Sequence, residues 1–477
     1  MLKESVYAKL PIFLQDAACS YYGKMERKVR LGGLFQQRLE ELMESERWSK
    51  GEIEAYQNEK LKQLVKHAYE NVPYYREVMQ NLRLTPQDIR TKVDLVKLPI
   101  LTKEDVRQNG AKLLSQTARK RDVVFKHTSG TTGKSLTFYA GKASIAFQWA
   151  VWWRHRRRFG IDEGCWHANF TGKMVVPQEQ RTPPYWRWNK PMHQALVNMQ
   201  QLTPDKIGDI ISFLNQKGFP LYTGYPSIIH AMTMAANDRG LSLTSPPKVI
   251  ATGAENILEY QRRDIEKFTG AILTDQYGSS EGCGNASQCS EFAYHEDFEF
   301  GIIECVDPET SDDGVTSGQV VCTGFASPEF PFIRYSIGDR ASWADPLKSC
   351  LCGRESTVLV GIDGRKDDYV VTPEGQRTMR FDYVFKETTN VRECQVVQER
   401  LGEIKVIIVK RPGYGTKDED FIRHEICNWI SPRLSVVFSY VSEIPRGNNG
   451  KFQAVKSLLN NHDRDALRLS SSYQANT

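Results

Sequence analysis

Residues 127 to 135 read His127-Thr128-Ser129-Gly130-Thr131-Thr132-Gly133-Lys134-Ser135. Two glycines and short hydroxyl side chains let such a stretch turn its N–H groups and hydroxyls around an anion, and Lys134 adds a point charge. These are the properties of a phosphate cradle. The Walker pattern requires a glycine five residues before the one in its Gly-Lys pair. Thr128 stands there, so the loop is of another kind. Alone, it reads as a flexible turn, and its weight comes from the peptides that follow.

Gly253-Ala254-Glu255 and Tyr277-Gly278-Ser279-Ser280-Glu281-Gly282 each close a short apolar run. Beyond the carboxyl ends of strands is where an open α/β sheet binds ligands. Tyr277 is suited to stack on a purine. Glu281 offers the hard oxygens that magnesium prefers against phosphate. Asp339, in Phe332-Ile333-Arg334-Tyr335-Ser336-Ile337-Gly338-Asp339-Arg340, is suited to accept both ribose hydroxyls. Gly361-Ile362-Asp363-Gly364-Arg365-Lys366-Asp367-Asp368 carries glycine and charge between two differently patterned regions, as a hinge does. Pro445-Arg446-Gly447-Asn448-Asn449-Gly450-Lys451-Phe452 presents one lysine from a glycine-rich turn, where it can meet charge developing in a phosphoryl displacement. Taken one at a time, each of these is an ordinary turn.

The elements that must position them follow from periodicity. Residues 1 to about 115 are mostly helical: Leu61, Leu64, Val65, Ala68 and Tyr69 make one apolar face, and Thr102 with Asp105 caps another helix. Tyr74 and Tyr75 read as packing. Phe147 to Phe159 predicts a helix with a basic solvated face, followed by a long loop through Pro183 and Pro184 that can shape a substrate pocket. From residue 200, helices (205–217, 227–239, 258–268) alternate with strands (220–222, 248–252, 271–276), which predicts a largely parallel sheet covered by helices. Residues 298–345 are β-rich, and 391–445 read strand, strand, helix, strand.

The ordered set Thr128–Lys134, Tyr277–Gly282, Tyr335–Arg340, Gly364–Asp368 and Pro445–Lys451 resembles the adenylate-forming superfamily of acyl-CoA synthetases, adenylation domains and luciferases. Tyr69–Arg76, Leu98–Lys103 and Pro331–Tyr335 resemble its phenylacetate–CoA ligase branch, and within that the subgroup named for capsular polysaccharide biosynthesis, CapK. The resemblance spans about residues 60 to 456. It implies an α/β fold: a large N-terminal adenylate-forming domain with mixed and parallel sheets covered by helices, a β-rich subdomain, and a small mobile α+β C-terminal domain. The expected divisions are 1–115 (helical), 116–364 (ATP- and substrate-binding core), 365–460 (after the hinge) and 461–477 (mobile tail).

Roles carry over by position. The resemblance implies that Thr128, Ser129, Gly130, Thr131, Thr132, Gly133 and Lys134 bind the ATP phosphates. Gly253, Ala254 and Glu255 line the adenine and acyl pocket, Tyr277 stacks on the adenine, and Gly278 and Ser279 bind ATP beside it. Glu281 takes magnesium, Asp339 takes the ribose with help from Arg365, Asp367 is the hinge, and Lys451 contacts the carboxylate and α-phosphate. It implies activation of a carboxylic acid as acyl-AMP with ATP and Mg²⁺, then transfer to an acceptor in surface or capsular polysaccharide biosynthesis. Pro373 and Glu374 stand where CoA ligases carry a glycine-rich strand-loop, so CoA, an amine and a sugar hydroxyl all stay open as acceptors. Two other readings are a nucleotidyltransferase that adenylylates a hydroxyl and a non-catalytic nucleotide-binding protein on a ligase frame.

Cys350-Leu351-Cys352-Gly353 is a metal knuckle in pattern, with Cys289 and His295 as partners and Cys283 as a spare. The resemblance implies that both segments line the same part of the large domain, giving three thiolates and an imidazole, a closed zinc set.

Composition bounds the rest. A net charge of +5 over 477 residues is slight, so no nucleic acid is expected as partner. Ten scattered cysteines do not make a disulfide framework and fit a reducing cytoplasm. Met1-Leu2-Lys3-Glu4-Ser5 does not begin a signal peptide, and no apolar run is long enough to span a membrane. A monomer or homodimer is expected.

Overall fold

The computed structural model describes residues 4–127, 136–310, 315–345, 348–365, 370–373, 377–378, 381–385, 388, 390–446 and 452–459. The first hundred residues are helical. Ser49 and Glu52 form a capping box at the start of Lys50–Asn71, which buries Leu61, Leu64, Val65 and Ala68. A β-region Val72 and Pro73 at the first helical position end it and start Pro73–Asn81. The Thr102/Asp105 box opens Lys103–Leu113 as expected. Tyr75 is packing: its hydroxyl donates to the Pro331 carbonyl and accepts from Ile333 N–H, both at 2.9 Å, tying these helices to the peptide before Tyr335.

The centre is one twelve-stranded sheet. In one half, Gln194–Asn198, His167–Thr171, Leu221–Gly224, Val249–Gly253 and Ile272–Gly278 run parallel, with Arg187–Asn189 antiparallel at the edge. Helices Ile207–Lys217, Pro226–Asp238 and Glu259–Thr269 connect the parallel strands, each end within two residues of the sequence expectation. The other half, Asn285–Gln288, Tyr294–Glu296, Val358–Arg365, Tyr335–Trp343, Thr316–Gly324 and Gly301–Thr310, is antiparallel. The last part is a four-stranded sheet ordered Ser435–Tyr440, Glu403–Lys410, Val391–Arg400, Val455–Ser457, with helix Thr416–Trp429 packed on it. Its core of Val396, Val406, Ile408, Ile422 and Ile426 also takes in Tyr260 from the large part. Each such fully buried apolar side chain contributes about 1.5–3 kcal/mol.

Two expectations fail. The helix is Lys142–Arg158, but its basic end is buried rather than solvated: Arg154 and His155 are fully buried and Arg156 is 6% exposed. Arg154 Nη1 donates to Glu299 Oε1 at 2.6 Å and Nη2 to Asp297 Oδ1 at 2.7 Å. Carboxylates from a distant loop make the burial tolerable, as the low dielectric demands. The stretch after it is not one long loop either, since it supplies three strands to the sheet. No helix among the described residues is long and apolar enough to cross a membrane.

Candidate active site

Val249–Gly253 and Ile272–Gly278 are neighbours, with Gly253 opposite Gln276, so both motif turns leave the same edge of the sheet. A Cβ at Gly253 would lie 3.1 Å from the Gln276 carbonyl oxygen, so the small residue lets the strands close up. Ala254 then takes φ +69°, a left-handed conformation costing about 1–2 kcal/mol for a residue with a Cβ. The turn brings the Glu255 carboxylate to two N–H donors. Oε2 accepts from Ser227 at 3.3 Å, at the start of the 13-residue helix Pro226–Asp238, and Oε1 accepts from Phe452 at 2.7 Å. Burial pushes the Glu255 carboxyl up, against the pull of these bonds and of Arg446.

Tyr277 donates its hydroxyl to Asp339 Oδ2 at 2.8 Å. Burial, then the Asp339 charge, pushes the phenol well up, so it remains a donor. Asp339 lies on Tyr335–Trp343, where the register sets it opposite Arg365 of Val358–Arg365. The two residues expected at the ribose are therefore backbone neighbours. Tyr335, at the start of the same strand, donates to Glu281 Oε1 at 2.9 Å. Glu281 is 7% exposed and its charge is felt by Lys126. An oriented, buried carboxylate in the wall of a cleft suits a hard cation.

The phosphate-loop residues Thr128, Ser129, Gly130, Thr131, Thr132, Gly133 and Lys134 lie outside the described residues, as do Asp367, Lys451 and the side chain of Arg365. Their flanks are informative. Val123–His127 and Thr137–Gly141 pair as an antiparallel hairpin around residues 128–135, and Lys126 and Leu136 at its base line a cleft of ≈ 1970 Å³. The same cleft is lined by Glu255, Tyr277, Gly278, Ser279, Glu281 and Asp339, and, from the last part of the chain, by Arg446 and Phe452. Arg446 pairs with Glu393 and lies over the Phe452 ring, 4.5 Å from its centroid. The described strand-end residues expected from the sequence thus converge. Sequence reasoning missed Lys126, the Tyr335 hydroxyl as the holder of Glu281, and Glu255 as the anchor of the residue after Lys451. No local pattern marks a contact across 197 positions.

Cys289, His295, Cys350 and Cys352 also converge, with their ligand atoms within 4.8 Å of one another. Cys289 Sγ is 3.8 Å from Cys350 Sγ, and Cys352 Sγ is 3.3 Å from His295 Nε2. Ligands about 2.1–2.3 Å from a tetrahedral zinc lie at such separations. Gly353 at φ +77° makes the knuckle turn, and Ser356 Oγ lies 3.4 Å from His295 Nδ1, leaving Nε2 directed at the thiols. Cys283 is not in the group, since its sulfur sits beside Ser279 Oγ instead.

The CapK C-terminal domain family matches residues 370–458. Protein CapK of Staphylococcus aureus is 24% identical over 450 residues, 94% of this chain and 97% of that protein. Phenylacetate-coenzyme A ligase of Aromatoleum evansii is 29% identical over 349 residues, 68% of this chain and 73% of that one. Among solved structures, 2-hydroxyisobutyryl-CoA ligase in the postadenylation state with R3-HIB-AMP superposes with TM-score 0.67 at 16% identity, covering 90% of this chain and 94% of that one.

Proposed function

From this chain's homology with Protein CapK and the phenylacetate–CoA ligases, we propose that it activates a carboxylic acid with ATP and passes the acyl group to an acceptor in surface-polysaccharide assembly. One observation carries the reading. Phe452, the residue after Lys451, is hydrogen-bonded to Glu255 in the wall of the cleft where Tyr277, Glu281 and Asp339 meet.

The chemistry runs as follows. A carboxylate is a poor acyl donor. Its oxygen attacks the α-phosphorus of ATP, the bond to pyrophosphate breaks, and the acyl carbon now carries AMP as leaving group. The acceptor, CoA, an amine or a sugar hydroxyl, then attacks that carbon and AMP departs. Asp339, with Tyr277 holding one oxygen, accepts the ribose hydroxyls, and the Tyr277 ring stacks on the adenine. Glu281, oriented by Tyr335, would hold magnesium, which would supply positive charge against the phosphates. Lys451, delivered by the Glu255 anchor and joined by the loop at 128–134, steadies the transition state. Rotation about Asp367, with Arg365 beside it, then withdraws Lys451 and admits the acceptor. Cys289, His295, Cys350 and Cys352 would hold a structural zinc, with His295 on strand Tyr294–Glu296, which pairs with the strand leading to the hinge.

Hydroxylamine traps acyl adenylates as hydroxamates. The purified protein with ATP and Mg²⁺ should form a hydroxamate from at least one member of a panel of aliphatic, hydroxy, amino and aryl acids. Transfer of AMP to hydroxyl compounds, with no hydroxamate from any acid, would refute the reading.

A further inference from the structure

The helix Lys142–Arg158 turns Ile145, Gln148, Trp149, Trp152 and Arg156 toward the cleft. Gln148 Nε2 donates to the Ser279 carbonyl at 3.1 Å, so this end of the face adjoins the Tyr277–Gly282 turn. Arg156 lies eight residues further on, about 12 Å along the axis. It therefore stands at the far end of the cleft from the nucleotide residues, where the body of the acid would extend.

Arg156 differs from every arginine around it. Arg154 is held by Asp297 and Glu299, Arg157 by Glu163 and Arg158 by Glu46. Arg30, on the facing helix Ile12–Arg30, is held by Glu26 at 2.8 Å. Among the described residues the Arg156 side chain makes no ion pair or hydrogen bond, and its Nε is buried without a partner. Its guanidinium lies 4.7 Å from the Trp153 ring centroid and 6.0 Å from that of Trp149. Cation–π contact of this kind is weak beside the cost of burying a lone charge. Glu26 and Arg30 also line the cleft but pair with each other, and on the strand side His167, Gln194, Asn169 and Thr223 are polar without a carboxylate. His167 Nε2 lies 3.1 Å from Gln194 Nε2, and Asn169 donates to Thr223 Oγ1 at 2.8 Å. Burial and the Arg156 charge push His167 down to about 3, so the imidazole is neutral and brings no charge of its own.

We propose that the acid activated here carries a second carboxylate, remote from the one that reacts, and that Arg156 pairs with it as a bidentate fork. The inference rests on the ligase reading and names its substrate class. A dicarboxylic acid would bring the anion that the protein withholds, and an uncharged acid would leave the guanidinium stranded.

The test compares AMP formation from adipate, suberate and sebacate with that from hexanoate, octanoate and decanoate, in the wild type, Arg156→Met and Arg156→Lys. Wild type should favour the dicarboxylate of a length-matched pair by at least tenfold in kcat/KM. Arg156→Met should lose about 100-fold on the dicarboxylates, mostly through KM, and change less than threefold on the monoacids. Arg156→Lys should recover part of the loss. Without ligand, Arg156→Met should melt at or above the wild-type temperature, because an unpaired buried charge has been removed. Equal or better use of monoacids by the wild type, an unchanged preference in Arg156→Met, or a large fall in its melting temperature would overturn the inference and leave the ligase intact. AMP formation from none of the six acids, together with no hydroxamate from the wider panel, would overturn the ligase reading and the inference with it.

Discussion

Replacing Glu255 by glutamine tests the proposed step in which Lys451 is brought to the nucleotide. In the native protein both carboxylate oxygens accept from backbone N–H groups, one from Ser227 and one from Phe452. Glutamine has the same shape but keeps one acceptor and points an amide N–H₂ at the other donor. A hydrogen bond to a charged group contributes about 1.5–3 kcal/mol, so the smaller figure is a safe floor. Since 1.4 kcal/mol is tenfold, carboxylate-dependent exchange of labelled pyrophosphate into ATP should fall at least about tenfold. The fall should appear with ATP and acid both saturating, because the substitution acts on the docking of the last part of the chain. The decisive arm is the double variant. In a Lys451→Ala background the docked segment delivers no cation, so Glu255→Gln should add almost nothing to the loss. A change under twofold in the single variant, or two losses that multiply in the double one, would refute the anchoring role.

Other outcomes follow from buried features. Arg154→Met strands Asp297 and Glu299 in a dry interior, and breaking such a pair costs about 3–5 kcal/mol. Chemical denaturation should show a loss of that size, and a loss under 1 kcal/mol would mean that the site hydrates or relaxes. Metal analysis should find about one zinc per chain and far less in Cys350→Ser, with a lower melting temperature. Full thermal stability of a metal-free preparation would remove zinc from the fold.

What the sequence showed and what it hid divide by range. The α/β alternation from residue 205 to 278 was legible because each apolar run is bounded by Gly or Pro signals and buries locally. The capped helix starts at Ser49 and Thr102 are likewise local events. The misreadings are non-local. Arg154 and Arg158 at the end of Lys142–Arg158 look solvated until the carboxylates of Glu46, Asp297 and Glu299 are brought to them. Arg187–Asn189 and Gln194–Asn198 lack clean alternation because polar side chains such as Asn189 and Gln194 are buried together, Asn189 Nδ2 donating to Gln194 Oε1 at 3.1 Å. The strand-end residues of the site were legible as turns, and their convergence was legible only through the family likeness. The Cys/His group was found in the same way, and the geometry of its four ligand atoms came from the fold alone.

The central claim is that a carboxylate oxygen becomes bonded to the α-phosphorus of ATP in this cleft. It is read most directly by supplying the acid labelled with ¹⁸O in its carboxylate, trapping the product with hydroxylamine and weighing the AMP released. The account predicts AMP heavier by one ¹⁸O atom from the wild type, and far less AMP, with the same label, from Lys451→Ala. Unlabelled AMP, or ADP in its place, would contradict it.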